Sequence, residues 1–573
     1  MRRQVAILVS KDDGNISNSP VGSIGTAVCQ PRLVARYAGQ HGLEFMQPLP
    51  SLIRLLLLSL LVLGLAACGS LPQIDRSANA TEAIALSRDT ALGNIASSYH
   101  PVPDHSGFRL MPLGSYSLDT RIQLAQRAQV SLDVQYYHLH DDESGRWLLR
   151  ALRDAALRGV RVRLLIDDFY TSGEDELLLS LAAHPNVEVR LFNPFCCLRS
   201  HGQLTRFAAS IGDLKRLNHR MHNKLFVADG AMAVIGGRNV ANEYFLRNDE
   251  GLNFIDVDAF VVGWLIGPLQ GSFDRYWNAD AVYPIQSMAS TPVSPAELRQ
   301  RFERWTGPER TPAPGPLPGN DILGYGPIAD DLDSGRLGLV WAPAYTFADH
   351  PDKPFDGEAG GTIAETSVTY NVFEALRQAR QEVVISSPYL VPGESGMALI
   401  DELHARGVRV TAMTNSLGAT DEPLVHLGYA TYRTAMLEKG VDLYEISGSR
   451  VKRNRRMNLF GASLGRLHAK LAVVDRRWLF VGSMNLDPRS ATINTELGAV
   501  IDSPQLAREM IRIIDIDRLE SAYRLRLTAD GQCCEWVGYD GDQAMVLTEE
   551  PDSSLWQRFK LMLLSPFVPE SLL

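Results

Sequence analysis

The sequence predicts an α/β protein made of two α/β/α halves that arose by internal duplication and share one active site. Three observations predict this fold. The chain has 573 residues, which exceeds the size at which a single core stops growing. A plan of strand, helix and strand occurs twice along it. One histidine-containing motif follows each copy of that plan at a similar distance.

The two copies of the plan are rich in Val, Leu and Ile and begin at Val130 and Glu382. The first reads VSLDVQYYHLH, then a helical LLRALRDAALRG, then VRVRLLID, and the second reads EVVISSPYLVP, ALIDELHARG and VRVTAMTNS. The pentapeptide Arg-Gly-Val-Arg-Val at 158–162 recurs at 406–410, with its glycine where a helix is expected to end. Near-continuous apolar strands that alternate with helices are typical of buried parallel strands. Each half is therefore predicted to be α/β.

The segment PERTPAPGPLPGN, from Pro308, is too rich in Pro and Gly for a regular helix or a central strand. We therefore predict a first domain over 91–285, a linker with an insertion over 286–355, and a second domain over 356–573. Residues 68–90 are predicted to be a tether.

A short cationic start, an apolar run and small residues before a cysteine make SLIRLLLLSLLVLGLAACGS, from Ser51, typical of a signal peptide. The run is short for a membrane span, which takes about 20 apolar residues, and a buried or transmembrane helix is the alternative. A signal of normal length covers 46–67. Translation is therefore predicted to start at Met46, with 1–45 as an upstream extension.

The ending Leu-Ala-Ala-Cys resembles the lipobox of bacterial lipoproteins, which implies that Cys68 is acylated and anchors the protein. In such proteins an aspartate after the cysteine implies retention at the inner membrane. Gly69 therefore points to the outer membrane, with the protein facing the periplasm.

The composition is that of an ordinary globular protein, with 45% hydrophobic and 21% charged residues. A net charge of −10 argues against a surface built for nucleic acid, which needs a broad excess of Lys and Arg. The pairs Cys196-Cys197 and Cys533-Cys534 lack the C-x-x-C spacing of a zinc site, so neither a metal nor another cofactor is expected. A disulfide between the pairs and buried thiols are both compatible with the sequence.

Each half carries one motif with the same spacing, in which a histidine is followed by a lysine, an aspartate and an asparagine. The residues are His222, Lys224, Asp229 and Asn239 in the first half, and His468, Lys470, Asp475 and Asn485 in the second. Strand residues two apart face the same side, so each strand presents one imidazole with one ammonium. The asparagines can donate hydrogen bonds to a phosphate oxygen, and Ser483 is a further candidate.

The two aspartates are off the parity of the histidine and lysine. Asp229 stands before Gly230, where a tight turn would fit. Each aspartate is therefore either a catalytic member of its motif or a supporting turn residue.

The pattern H-x-K-x4-D, followed by G-[GS]-x-N, resembles the signature of the phospholipase D superfamily in both copies. The resemblance implies two phospholipase D-like halves around one phosphodiester-cleaving site. One neutral imidazole attacks phosphorus and forms phosphohistidine, and the other, protonated, gives its proton to the leaving group. The order in relatives implies that His222 is the nucleophile and His468 the acid/base, while Lys224 and Lys470 hold the negative charge.

The resemblance also implies an acidic partner for each imidazole, on a strand downstream of the motif, which fixes the tautomer. Glu496, in INTELGAVI, fits one half. In the first half, FIDVDAFVVG offers Asp256 and Asp258 on one face, and Asp256 is preferred. The alternative is that these are surface carboxylates.

Basic residues precede each motif, from Lys215 to Arg220 and from Arg450 to Arg466. If they flank the mouth of the site they attract anionic head groups, although some are expected to be solvated loop charges.

Three stretches, GGRNVANEYF, TNSLGATDEPLVHLGYA and VGSMNLDPRSATINTELG, resemble the cardiolipin synthase C branch of the superfamily. That branch implies transfer of a phosphatidyl group to phosphatidylglycerol from a second membrane phospholipid, such as phosphatidylethanolamine. Gly237 departs from the pattern, because many relatives have Ser there, and one hydroxyl donor is thereby lost.

Other functions stay open at this point: hydrolysis of phospholipids to phosphatidic acid, an extracytoplasmic nuclease, and a non-catalytic scaffold that binds anionic lipid. Two motifs in one chain and a membrane anchor favour lipid, and intact motifs argue against the scaffold. Nucleic acid is not expected as a partner, and the active site does not require an oligomer.

The C-terminal segment SSLWQRFKLMLLSPFVPESLL has Trp556, Phe559 and Leu563 at helical spacing, with Arg558 and Lys560 between them. It is either an interfacial helix on the membrane or a helix packed on the second domain's core.

Overall fold

A computed structural model describes residues 71–76, 80–98, 102–247, 252–317, 319–353, 366–453, 464–531, 534–540 and 543–564. All of them belong to one compact unit. The predicted upstream extension, the signal segment and Cys68 lie outside the described residues. Within the described ranges, no helix is long and apolar enough to cross a membrane.

The strands fall into two sets, one for each half. The first set is β1 (His105–Met111), β2 (Ser131–Tyr136), β3 (Arg161–Asp167), β4 (Val187–Phe192), β5 (Leu225–Ala228), β6 (Met232–Gly236), β7 (Leu252–Ile255), β8 (Asp258–Gly263) and β9 (Val282–Pro284). The second set is β10 (Val340–Ala348), β11 (Glu382–Ser386), β12 (Arg409–Asn415), β13 (Asp442–Ile446), β14 (Leu464–Leu467), β15 (Leu471–Val474), β16 (Trp478–Gly482), β17 (Leu497–Asp502), β18 (Ala522–Leu527), β19 (Cys534–Asp540) and β20 (Gln543–Leu547).

The helices are also distributed over both halves. The first group is α1 (Ala91–Ser98), α2 (Gly114–Arg127), α3 (Glu143–Leu157), α4 (Asp175–Ala182), α5 (Gln203–Ala209), α6 (Leu214–Leu217), α7 (Ile266–Trp277), α8 (Ile285–Met288), α9 (Pro295–Thr306) and α10 (Ile328–Ser334). The second group is α11 (Val368–Arg377), α12 (Gly393–Ala405), α13 (Pro423–Glu438), α14 (Gly448–Arg453), α15 (Pro488–Thr492), α16 (Pro504–Glu520) and α17 (Leu555–Leu564).

The two half-sheets have the same strand order. Neighbours run β1-β8-β6-β5-β2-β3-β4-β9 in the first half and β10-β17-β16-β15-β11-β12-β13-β18 in the second, which β19 and β20 extend. In each half three strands are parallel, β2 to β4 and β11 to β13, and the others join them antiparallel. The predicted α/β fold of two duplicated halves is confirmed.

Three apolar clusters hold these layers together. One cluster packs α2, α3 and α4 on the first half-sheet, and another packs α11, α12 and α13 on the second. The third contains residues of both halves, among them Leu165 and Leu225 from the first and Met413 and Leu471 from the second, together with α7 and α16. The two halves are therefore joined by a common apolar core, whose burial is the main favourable term in folding.

The predicted linker 286–355 is partly folded, because it contains α9, α10 and β10. β10 pairs antiparallel with β1, where Val340 faces Phe108, and antiparallel with β17, where Ala348 faces Leu497. It stands beside β17 as β1 stands beside β8, so it is the first strand of the second half. The predicted start of that domain at 356 is too late. Pro343 in VWAPAYTFA conceals the strand, because proline usually interrupts a strand pattern.

Candidate active site

Both motif histidines lie where the parallel strands end. His222 stands just before β5, which is antiparallel to β2, and His468 just before β15, which is antiparallel to β11. Their side chains are almost fully buried. Burial is the main cause that lowers the pKa of both imidazoles. Lys470 of the second half also lowers the pKa of His222, and Lys224 of the first half also lowers the pKa of His468. The two motifs therefore form one site.

Each histidine is hydrogen-bonded to a carboxylate of the other half. His222 Nδ1 lies 2.9 Å from Glu496 Oε2, and His468 Nδ1 lies 2.7 Å from Asp256 Oδ2. The sequence singled out both carboxylates but associated each with its own half, and the structure exchanges them. Because Nδ1 is held in both rings, Nε2 is the nitrogen left to face a substrate.

The backbone explains this exchange. β14, which leads into His468, pairs in parallel with β7, and the His468 N–H donates to the Ile255 carbonyl at 2.8 Å. Similarly, the His222 N–H donates to the Thr495 carbonyl at 2.9 Å. The chain that precedes each histidine thus runs beside the chain that precedes the other half's carboxylate.

Burial favours the neutral form of both imidazoles in the site without substrate. Burial lowers the pKa of His222 to about 4, although attraction to Glu496 opposes the shift. Burial lowers the pKa of His468 well below its usual range. A neutral imidazole can act as a nucleophile. A bound phosphodiester anion favours protonation of the other imidazole, because an opposite charge stabilises the charged form.

The two lysines are buried as well and face the same site. Lys224 Nζ donates to the His222 carbonyl at 2.7 Å, and Lys470 Nζ donates to the His468 carbonyl at 2.5 Å. Burial lowers the pKa of Lys224 to about 7 and the pKa of Lys470 to about 8. Each ammonium keeps further donors for phosphate oxygens.

Ser483 was predicted to bind phosphate, and the structure gives its hydroxyl another place. The side chain is fully buried, donates to Glu496 Oε2 and accepts the Leu497 N–H at 3.0 Å. Ser483 therefore positions the carboxylate that holds His222.

Gly237 occupies the corresponding position in the first half. A Cβ there would lie 2.6 and 2.7 Å from the two carboxylate oxygens of Asp256. Asp256 instead accepts the Val257 N–H at 2.7 Å. The half-site with Gly237 in place of a serine thus also has an aspartate, Asp256, in place of a glutamate. The two half-sites are therefore chemically different.

The two asparagines are placed differently. Asn239 Nδ2 donates to the Tyr244 hydroxyl at 3.0 Å, and its Oδ1 accepts the His138 N–H at 3.3 Å. The Oδ1 atom of Asn485 is buried and has no hydrogen-bond partner among the described residues.

Asp229 and Asp475 point away from the histidines. The Asp229 carboxylate accepts the N–H groups of Gln129, Val130 and Ser131 at the start of β2. Asp475 does the same for 380–382 at the start of β11. The four residues of β5 separate Lys224 from Asp229. The prediction that Asp229 and Asp475 are catalytic is therefore wrong, because both carboxylates support the backbone.

The backbone conformation at Asp229 and Asp475 agrees with a structural role in the turn. Asp229 and Gly230 have φ values of 52° and 60°, and Asp475 has a φ of 51°. Positive φ at two successive central residues is the geometry of the tight hairpin turns that favour Asp-Gly.

Two other polar residues are structural. Asp258, the alternative to Asp256, is buried with Arg121 at 3.0 Å and Ser117. Arg220, grouped with the basic residues near the mouth, is fully buried with its Nη1 atom 3.1 Å from Asp167. In the part of the chain that the structure describes, no three His, Cys, Asp or Glu side chains are arranged to hold a metal ion.

The described cysteines are Cys196, Cys197 and Cys534. The Cys196 and Cys197 sulfurs are 2.8 Å apart. Cys534 Sγ lies 3.9 Å from Thr434 Oγ1, and Cys533 is outside the described residues.

Sequence reasoning missed the aromatic residues of the site. The Tyr137 ring lies 5.1 Å from the His222 ring, and the Tyr244 and Phe254 rings lie 5.0 and 4.8 Å from the His468 ring. The signal was available for Tyr137, because it directly follows the first strand of the repeat, at the edge where the histidines lie.

It also missed Asp421, in the loop after β12. Tyr389 donates its hydroxyl to Asp421 Oδ2 at 2.9 Å, and Asp421 Oδ1 has no hydrogen-bond partner among the described residues. Asp421 lies near enough to Lys470 to oppose the lowering of that lysine's pKa, which burial causes. A carboxylate therefore stands close to one of the two lysines of the site.

Known proteins resemble this chain in sequence and in fold. The family profile "Cardiolipin synthase, PLD-like domain" matches residues 121–277 and 372–518. Cardiolipin synthase C of Escherichia coli (strain K12) is 37% identical over 480 residues, which cover 81% of this chain and 96% of that protein. A cardiolipin synthase of Staphylococcus aureus (strain N315) is 24% identical over 69% of this chain and 64% of its own length. The phosphatidylserine synthase structure of Haemophilus influenzae Rd KW20 is similar in fold, with a TM-score of 0.50, 15% identity, and coverage of 81% and 95% of the two chains.

Proposed function

Because the chain belongs to the phospholipase D superfamily, in its cardiolipin synthase C-like branch, and is a phospholipid phosphatidyltransferase, we propose that it makes cardiolipin. The acceptor is phosphatidylglycerol, and the donor is a second phospholipid such as phosphatidylethanolamine. The observation that carries the proposal is the pair of buried histidines, each held at Nδ1 by a carboxylate of the other half.

The reaction has two steps with one covalent intermediate. His222 Nε2 attacks the donor phosphorus, the bond from phosphorus to the head-group oxygen breaks, and His468 gives its proton to that oxygen. His468 then takes the proton of the acceptor hydroxyl, whose oxygen attacks phosphorus and releases His222. Lys224, Lys470 and Asn485 stabilise the charge on the phosphoryl oxygens.

The difference between the two carboxylates supports His222 as the nucleophile. Burial by itself would raise the pKa of Glu496, but His222 and Lys224 outweigh it and lower that pKa. Burial raises the pKa of Asp256. An imidazole becomes cationic when phosphorus is attached. The partner that stays ionised, Glu496, therefore suits the nucleophile best.

Asp421 supports a donor with a positively charged head group. Its Oδ1 atom has no hydrogen-bond partner in the described part of the chain, and it stands beside Tyr389 at the edge of the site. An ammonium group offers three donors to such an oxygen. A nucleic acid backbone has no cation to place there.

The test is to incubate the purified protein with phosphatidylethanolamine and phosphatidylglycerol and to resolve the products. Cardiolipin with free ethanolamine is expected, and radiolabelled phosphatidyl groups are expected on a histidine of the protein after acid-free quenching. His222→Ala should abolish both signals while the protein stays folded. Phosphatidic acid as the main product would replace transfer by hydrolysis, and label on a serine would contradict the phosphohistidine.

The cellular place proposed for this chemistry is a membrane surface that faces the periplasm, in the outer membrane, with Cys68 as the lipid anchor. The exposed face of α17 supports contact with lipid. Trp556 is 68%, Phe559 46% and Leu563 54% exposed, while Leu561 is buried and α17 packs against α13.

α17 also lies at the edge of the sheet that carries the site. Gln557 Nε2 donates to the Leu417 carbonyl in the loop after β12, the loop that contains Asp421. Asp552, just before the helix, accepts from Ser447, which follows β13, and from Ser449 at the start of α14. The apolar face and the mouth of the site can therefore meet one bilayer.

A further inference from the structure

A cavity of about 650 Å³ lies in the second half, between the half-sheet and the helices α11, α12 and α15. Its volume lies in the range of ligand pockets, roughly 300 to 1,000 Å³. Most of its wall is apolar, with Phe373, Ile385, Leu399, Leu403 and Met436 among the lining side chains. A wall of this kind fits a hydrocarbon chain and not a head group.

The duplication indicates why the cavity occurs in this half. Counted back from the shared pentapeptide, Ser395 and Gly396 of α12 correspond to Trp147 and Leu148 of α3. Counted forward, Ala412 of β12 corresponds to Leu164 of β3. Trp147, Leu148 and Leu164 are buried in the first half's core, whereas Ser395, Gly396 and Ala412 line the cavity. Three large side chains of one half are thus small in the other, and the space they would fill is left open.

The cavity adjoins the catalytic loop. Met484 and Leu486 contribute to its wall, while Ser483, which precedes Met484, is bonded to the catalytic partner Glu496. Asn485, between the two lining residues, is the phosphate-binding candidate. One short stretch of backbone therefore carries the residue that positions the catalytic carboxylate, the phosphate-binding candidate and two residues of the cavity wall.

We propose that this cavity holds one acyl chain of the phospholipid whose phosphate lies at the two histidines. The proposal rests on the proposed function for the nature of the substrate. It adds a determinant of specificity, because a chain that enters the cavity contributes binding free energy with each methylene it buries. The reacting phosphorus is then positioned by the tail of the lipid as well as by its charge.

Filling the cavity tests the proposal. Ala412→Leu and Ser395→Trp, made separately, restore the residues that the first half has at these positions. Each is expected to lower kcat/KM for head-group release from dipalmitoyl phosphatidylethanolamine about tenfold, since about two methylenes are displaced. The dihexanoyl analogue, whose chains are short, should react as with the unmodified protein. Ser395 is exposed, so its variant remains informative if Ala412→Leu does not fold.

Ala398→Leu is the matched control, because Ala398 is exposed on the same helix and does not line the cavity. It should leave both substrates unaffected. Equal loss on long and short chains in the cavity variants, or no loss on either, would overturn the proposal.

A second measurement needs no turnover. Phosphatidylethanolamine with a diazirine at the end of one acyl chain is photolysed with the full-length protein, and the labelled peptides are identified. Label on α11 and α12 that Ser395→Trp removes supports the cavity, and label elsewhere overturns it. A labelled cavity in a protein that makes no cardiolipin would refute the proposed function and keep the acyl-chain site.

Discussion

Glu496 is bonded to His222 and is itself held by Ser483, so its contribution is one of orientation and charge. We expect Glu496→Gln to lower kcat by roughly 10²-fold or more, as loss of a charged partner does in related histidine systems, with a smaller change in KM. The measurement is steady-state kinetics of head-group release.

Asp502→Asn is the control for that variant. Asp502 is the last residue of β17, the strand that begins directly after Glu496, and it pairs with the exposed Arg477. It should leave kcat unchanged. An equal loss in both variants would mean that β17, and not the carboxylate of Glu496, is responsible.

The lowered pKa values of the two site lysines are expected to make activity sensitive to alkaline pH. Burial lowers the pKa of Lys224 to about 7 and the pKa of Lys470 to about 8. A lysine is charged below its pKa, so these cations are lost as the pH rises through that range. We expect kcat/KM, which reports the enzyme before substrate binds, to fall as pH rises above about 7.

The dependence of kcat should differ, because a bound phosphate anion stabilises the ammonium groups and raises their pKa. Its alkaline limb is expected at higher pH than that of kcat/KM. On the acid side, the pKa of His222, which burial lowers to about 4, places the loss of the nucleophile near that pH. Coincident alkaline limbs of kcat and kcat/KM would contradict this account.

At the scale of single elements, the two motif aspartates fix the starts of β2 and β11. Asp475 accepts three backbone N–H groups that open β11. We expect Asp475→Ala to lower the free energy of unfolding by about 1–3 kcal/mol, since these donors lose their acceptor. Urea unfolding measures the loss. Below the unfolding transition kcat should stay within a few-fold of normal, and abolished turnover in a folded protein would restore the catalytic reading.

The exposed face of α17 gives a second prediction for an element. Replacing Trp556 and Phe559 together by Ser removes exposed side chains, so the melting temperature should change little. Turnover of lipid in vesicles should fall several-fold, while turnover in detergent micelles stays the same, because a membrane contact acts through the bilayer. Vesicle flotation and parallel assays measure both.

Trp264→Ser is the control for the helix variant. Trp264 is 56% exposed and follows β8, at the end of that strand away from the histidines. Weaker vesicle turnover in this variant too would show that surface apolarity in general, and not α17, is responsible.

At the scale of the whole molecule, Cys68 is expected to set location. Cys68→Ala should move the protein from the membrane fraction to the soluble fraction and lower activity on bilayers more than on dispersed lipid. Fractionation and metabolic labelling with a palmitate analogue measure this. A variant that stays fully in the membrane fraction would refute the lipobox.

The parts of this molecule that repeat could be predicted from sequence. His222 and His468, their lysines and the α/β plan occur twice, and each copy supports the other. The exchange of Asp256 and Glu496 could not be predicted, because it depends on the pairing of β7 with β14, which are distant in sequence and short. β10 was concealed by Pro343. The cavity left no pattern of its own, since it results from three small residues where the other half has large ones.

The pairing of β1 with β10 has a mechanical consequence. Many two-lobed enzymes admit substrate by bending at the junction between lobes. Here the junction is a ladder of hydrogen bonds in which Ser106 faces Ala342 and Phe108 faces Val340, and bending there would break the ladder. The two buried histidines of the site are thus carried on one continuous sheet. Entry of lipid and release of product are then expected to depend on the loops at the edge of the sheet, such as 416–422.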